Sequence, residues 1–125
     1  MRKQYHFRPG PIGLDAWDVG RLVELAADSP VEDLPLTSIG ELDAAFWYDH
    51  GYEPTVRSVV EHARLMAAVD LQHPIVVDPD GLVMDGMHRV GRSLLDGHDT
   101  VKARRLAELP APDFTNCRPD ELPYD

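Results

Sequence analysis

Long apolar runs, cysteine pairs and an excess of positive charge are all missing from this 125-residue chain. Each absence closes a class of function. No stretch approaches the roughly 20 apolar residues a helix needs to cross a bilayer, so no membrane span is expected. The opening MRKQYHFRPGPIG lacks the apolar centre of a secretory signal, which points to a cytoplasmic protein. Cys117 stands alone, so no internal disulfide can form and no thiolate cluster can hold a metal. A reducing compartment suits such a chain. The six histidines are scattered rather than set at zinc-ligand spacing. The formal net charge of −10 sets the surface as a whole against nucleic acid and anionic lipid.

What is present reads as one small domain over 1–125, with a core at about 34–106. Residues 1–14 read as an irregular lead-in, broken by Pro9, Gly10, Pro11 and Gly13. DAWDVGRLVELAADSP has helical spacing, with Trp17, Leu22, Leu25 and Ala26 able to share one side. LPLTSI (34–39) reads as a short strand, Pro35 favouring an edge or a strand start. GELDAAFWYDHGYEP predicts a helical turn and then a loop. TVRSVVEHARLMAAVD predicts the clearest helix, capped by Thr55, with Val56, Val59, Val60, Ala63, Met66 and Ala67 as its apolar stripe. HPIVVD and LVMD predict a strand pair joined by the tight turn Pro79-Asp80-Gly81. A helix over 87–95 follows, stopped by Gly97, and TVKARRL (100–106) predicts a last strand. The acidic, Pro-rich tail either wraps the domain or stays loose. The fold class is α+β.

Positive charge is scarce overall but concentrated in residues 85–105, where Arg89, Arg92, Lys102, Arg104 and Arg105 outnumber the acids. Three of its basic residues, His88, Arg89 and Arg92, crowd the start of the 87–95 helix. A helix start is already the positive end of the macrodipole, so cations there need compensation. Asp85 could cap the helix and pair with Arg89. Alternatively, an anion could sit on the free N–H groups of the first turn, with Gly86 letting it approach the backbone. Lys102 and Arg104 would share a face of the last strand, extending such a site or lying in solvent.

The run HPIVVDPDGLVMDGMHRVGRSLLDGHDTVKARRL resembles the core of the ParB/sulfiredoxin-like superfamily over residues 73–106, and more loosely back to LPLTSI. The resemblance implies a small mixed sheet flanked by helices, with a Gly-x-His-Arg box that binds nucleotide phosphates. Gly86, Met87, His88 and Arg89 occupy the box; Arg92 joins them by helix spacing. Met87 stands where sulfiredoxins carry their catalytic cysteine, so reduction of sulfinic acids is not expected. The chain is acidic and shows no helix-turn-helix region after the core, so a DNA partition clamp is not expected either. DGMHR is most similar to the Asp-Gly-His-His-Arg box of ParB-like free serine kinases.

That resemblance implies ATP-dependent phosphoryl transfer, with magnesium, to a small hydroxylated metabolite. Glu41 or Asp43, in SIGELD, falls near the place of the kinases' catalytic acid, and the choice between them is open. Asp85 could hold magnesium, directly or through water. Phe46, Trp47, Tyr48 and Tyr52, around Asp49 and His50, read either as a lid or base-stacking wall or as core aromatics, with Trp47 the candidate pocket residue. The partners expected are a nucleotide and a small molecule. A nucleotide-sensing module without transfer is the alternative, and a nucleic-acid-acting protein a distant third. Oligomeric state is not legible in the sequence.

Overall fold

Residues 2–48 and 52–125 are described by the structure, a computed structural model. Asp49 and His50 lie outside the described residues. The chain is α+β, with two sheets and three α-helices among the described residues. The order is β1 (Tyr5–Pro9), β2 (Leu14–Asp18), α1 (Val19–Ala26), β3 (Val31–Pro35), α2 (Val56–Ala68), β4 (Ile75–Val77), β5 (Val83–Asp85), α3 (Met87–Leu95), β6 (Thr100–Arg105) and β7 (Phe114–Cys117). Short 3₁₀ turns cover Leu36–Ser38, Gly40–Asp43 and Pro119–Glu121.

The central sheet has the order β3-β6-β4-β5, with β4 and β6 parallel and the other neighbours antiparallel. Its side chains alternate between two cores, as a pleat requires. On one face Ile75, Val77, Val83, Val101 and Ala103 pack with Met87 and Val90 of α3. On the other Val76, Met84 and Leu106 pack with Trp17 and with Leu22 and Ala26 of α1. Three elements agree closely with the sequence reading: the β4–β5 hairpin, α3 over 87–95, and β6. The Pro79-Asp80-Gly81 turn forms because Asp78 Oδ1 accepts the N–H groups of Asp80 and Leu82, both at 2.9 Å, while Gly81 takes φ +89°.

Residues 5–18 depart from the irregular lead-in expected over 1–14 and from the helical spacing expected after it. Pro9, Gly10, Pro11 and Gly13 make the turn of a β1–β2 hairpin, closed by Gly10 N–H donating to Gly13 O at 2.7 Å. Trp17 is therefore a strand residue. The helix begins only at Val19, because Asp18 caps it by accepting the Gly20 N–H. The strand expected over 34–39 ends at Pro35, on an edge strand, and the chain then turns in a 3₁₀ helix. The tail wraps: β7 pairs with β2 and completes a three-stranded sheet.

Helix α2 begins as expected, with Thr55 and Ser58 forming a reciprocal capping box. Of its predicted stripe only Met66 lies on the face it packs. Ser58, His62 and Met66, spaced by four, are its half-buried row, while Val56 is 84% exposed and Val59 51%. The helix lies against α3, so only one narrow row meets the protein.

Arg8 ties the N-terminal hairpin to the central sheet. Its Nη1 donates to Asp78 Oδ2 at 3.0 Å and its Nε to His6 Nε2 at 3.0 Å. Burial pushes the Asp78 carboxyl up, but bonds from Leu82, Arg8 and Asp80 outweigh it and hold the pKa below the usual range. Burial, aided by the Arg8 charge, lowers His6 to about 4.

Candidate ligand site around the start of α3

Strand β5 delivers the chain into α3 through Gly86, at φ +105°. A side chain there would be strained, and its Cβ would come 2.6 Å from Ile75 Cγ2 and 2.9 Å from Arg89 Nη2. Gly86 O accepts the N–H groups of Arg89 and Val90, which starts the helix. No side chain caps it; Asp85 does not take that role. Among the described residues, the N–H groups of Met87 and His88 have no hydrogen-bond partner.

The basic residues of the box do not converge. Arg89 Nη2 pairs with Asp85 at 2.9 Å, and its Nη1 donates to the carbonyls of His73 at 3.1 Å and Pro74 at 2.8 Å. Arg92 holds Asp96 at 2.8 Å and donates to Met66 O and Ala67 O, so it caps the C-terminal end of α2. Arg104 does the same for α1, donating to Ala27 O and Ser29 O, and is not a solvated partner of Lys102. The expected clustering of cations is thus resolved into three separate fastenings. Arg89 and Arg104, with Asp85, line a cleft of about 510 Å³ beside α1.

His88 leaves α3 on a different side and meets α2. Its Nε2 lies 2.8 Å from His62 Nδ1, with the ring planes 19° apart. Two nearly coplanar imidazoles thus form one plate, joined by a single shared proton. The indole of Trp47 lies over both, at centroid distances of 4.3 and 4.7 Å and tilts of 12° and 14°. Burial lowers the pKa of each histidine, and for His88 the neighbouring His62 adds to the effect. Both are neutral at pH 7, which lets one donate and the other accept.

Trp47 also borders open space. With Glu41, Ala44 and Phe46 it lines both a cleft of about 690 Å³ and a smaller cavity of about 130 Å³. His6, Phe7 and Leu14 of the N-terminal hairpin form the far wall of the larger one. Met87 and Gly91, one turn apart on α3, floor the smaller. The smaller space and the larger cleft thus share Glu41, Ala44, Phe46 and Trp47 as a common wall.

Of the two candidate acids, Glu41 faces this cleft, while Asp43 is exposed on the 3₁₀ turn. Glu41 Oε2 accepts the Val83 N–H at 2.6 Å, which anchors the turn to β5 and, among the described residues, leaves the other carboxylate oxygen uncommitted. Asp85 has one oxygen on Arg89, and among the described residues no three His, Cys, Asp or Glu side chains gather as a metal site. With no such cluster, a magnesium ion there would take most of its oxygen ligands from nucleotide phosphates and water.

His62, Phe7 and His6 are site residues that sequence reasoning passed over. His62 lies on the row of Ser58 and Met66, a face whose mixed polar character gave no apolar signal. His6 and Phe7 carried no signal, because a hairpin had not been recognised there. No protein-family model, no curated protein and no solved structure matches the chain.

Proposed function

We propose that the chain is a ParB/sulfiredoxin-like nucleotide-binding domain, an ATP-dependent phosphotransferase acting on a small hydroxylated metabolite. One observation carries this reading: the uncapped start of α3, behind Gly86, opens beside a cleft that holds the carboxylate of Glu41. Phosphoryl transfer asks a protein mainly for positioning and charge complementarity. The free N–H groups of Met87 and His88 supply anion contacts at the positive end of a helix dipole. Gly86 supplies the left-handed turn that puts these N–H groups at the helix start. Arg89 acts one step back as a positioning residue, fixing the turn through Asp85 and the 73–74 carbonyls. The uncommitted oxygen of Glu41 orients the acceptor hydroxyl and takes its proton. ATP enters as its magnesium salt, the metal belonging to the nucleotide. Asp43 and Arg92 have no part in the step.

A second reading is a module that binds nucleotide without transferring phosphate. It is favoured by the 2.6 Å bond that holds Glu41 to β5. Calorimetry with MgATP, together with turnover across a panel of hydroxylated metabolites, separates the two. The test variant is Glu41→Gln, which can still accept the Val83 N–H but cannot act as a base. Binding with turnover that Glu41→Gln abolishes supports the kinase. Binding with no turnover on any acceptor supports the module. No binding of ATP, ADP or CTP overturns both.

A further inference from the structure

The geometry points to the chemical class of the acceptor: a neutral or cationic hydroxylated molecule with an apolar or aromatic body, bound in the cleft between the N-terminal hairpin and Trp47. The inference rests on the phosphotransfer reading for the word acceptor, and on the cleft alone for its selectivity.

Three observations carry it. The walls are apolar and aromatic, formed by Phe7, Leu14, Phe46, Trp47 and Tyr52. A cleft of about 690 Å³ lies in the range of small-molecule sites. Its charge has one sign: Glu41 is the only formally charged residue on its described lining, and no Lys or Arg contributes. His6 stays uncharged at neutral pH, and Arg8, on the same strand, is committed to Asp78 and His6. An anionic acceptor would meet a carboxylate and no counter-charge, whereas an ammonium would meet Glu41 and the faces of aromatic rings. The Trp47 wall is also preorganised. Its indole rests on the His62–His88 plate, so little side-chain freedom is left to lose on binding.

Hydroxy acids and sugar phosphates are therefore poor acceptors, and so is serine, which lacks the apolar body. Phenylalaninol and phenyllactate test this directly, because they share an aromatic ring and a hydroxyl but carry opposite charges. Binding is followed without nucleotide, by tryptophan fluorescence and by thermal shift. Trp47→Phe is the control that assigns the fluorescence change to the cleft rather than to Trp17. The expected result is phenylalaninol binding at least about tenfold more tightly than phenyllactate or serine, with Glu41→Gln cutting the preference over phenyllactate several-fold. Equal or tighter binding of phenyllactate or serine would overturn the inference, as would a fluorescence signal that no probe changes. ATP-dependent phosphorylation of hydroxy acids in preference to amino alcohols would also overturn it, leaving the phosphotransfer reading intact. The preference without any turnover would do the reverse.

Discussion

The two sides of α3 handle polarity in opposite ways. On one side lie Asp85, Arg89 and Arg104, and each arginine there is bonded to a carboxylate or to backbone carbonyls. On the other side lie Trp47, Met87, Glu41 and two uncharged histidines, with open space and one carboxylate oxygen to spare. The charged side holds the fold and the aromatic side is free to receive something. A guanidinium that already has three partners is a poor recruit for a ligand, however prominent it is in the sequence.

Removing Arg89 is the strongest way to break that comparison. Arg89→Ala leaves Asp85 part-buried without its partner and frees two carbonyls, so a loss of about 3 kcal/mol is expected in urea unfolding. If stability hardly changes while nucleotide affinity collapses, Arg89 is a ligand group and the division between the sides fails.

Acid tests the aromatic side, because the histidines whose burial disfavours the charged form lie there. His6, on the far wall of the cleft, has a folded pKa of about 4 against an ordinary 6.5. Above pH 6.5 the histidine is neutral in both states and contributes no difference. Between 6.5 and 4 the unfolded chain binds a proton that the native state refuses, so stability falls as pH drops and levels off below 4. The expected loss is about 3 kcal/mol in total, and His62 and His88 act in the same direction. Thermal unfolding from pH 7.5 to 4 checks this. His6→Gln should flatten the slope, and an unchanged slope would place the acid sensitivity elsewhere.

The smallest effect is expected at Arg92, which fastens α2 to α3 from near the surface. Arg92→Ala should cost about 1 kcal/mol and raise amide exchange in the last turn of α2, with little change at Trp47. A large fluorescence change at Trp47 would show that this fastening also sets the aromatic wall.

Elements with strong local punctuation were legible in the sequence. Gly81, Gly86 and Gly97 each mark a positive φ at a turn or helix boundary, and between them the hydrophobic period places β5 and α3. The N-terminal hairpin was not legible, because its turn is built from the same Pro and Gly residues that signal irregular chain. The box and the Asp85–Arg89 pair were found, but the other destinations of its arginines were not. Their acceptors are backbone carbonyls at 66–67 and 73–74, and a carbonyl leaves no trace in residue identity. Trp47 was found as an aromatic and Glu41 as an acid. That they share a cleft depends on Glu41 reaching the Val83 N–H across 42 positions of sequence.

That bond has a consequence for the solubility of the sheet. β5 is an outer strand, and an outer strand with open N–H groups is a template on which another chain can add. By taking the Val83 N–H, Glu41 puts a carboxylate where an incoming strand would have to place its own carbonyl. The carboxylate that faces the cleft thus also guards the sheet against copies of itself. A truncation such as Glu41→Ala would open an adhesive edge together with the pocket, whereas the amide of Glu41→Gln keeps the edge closed.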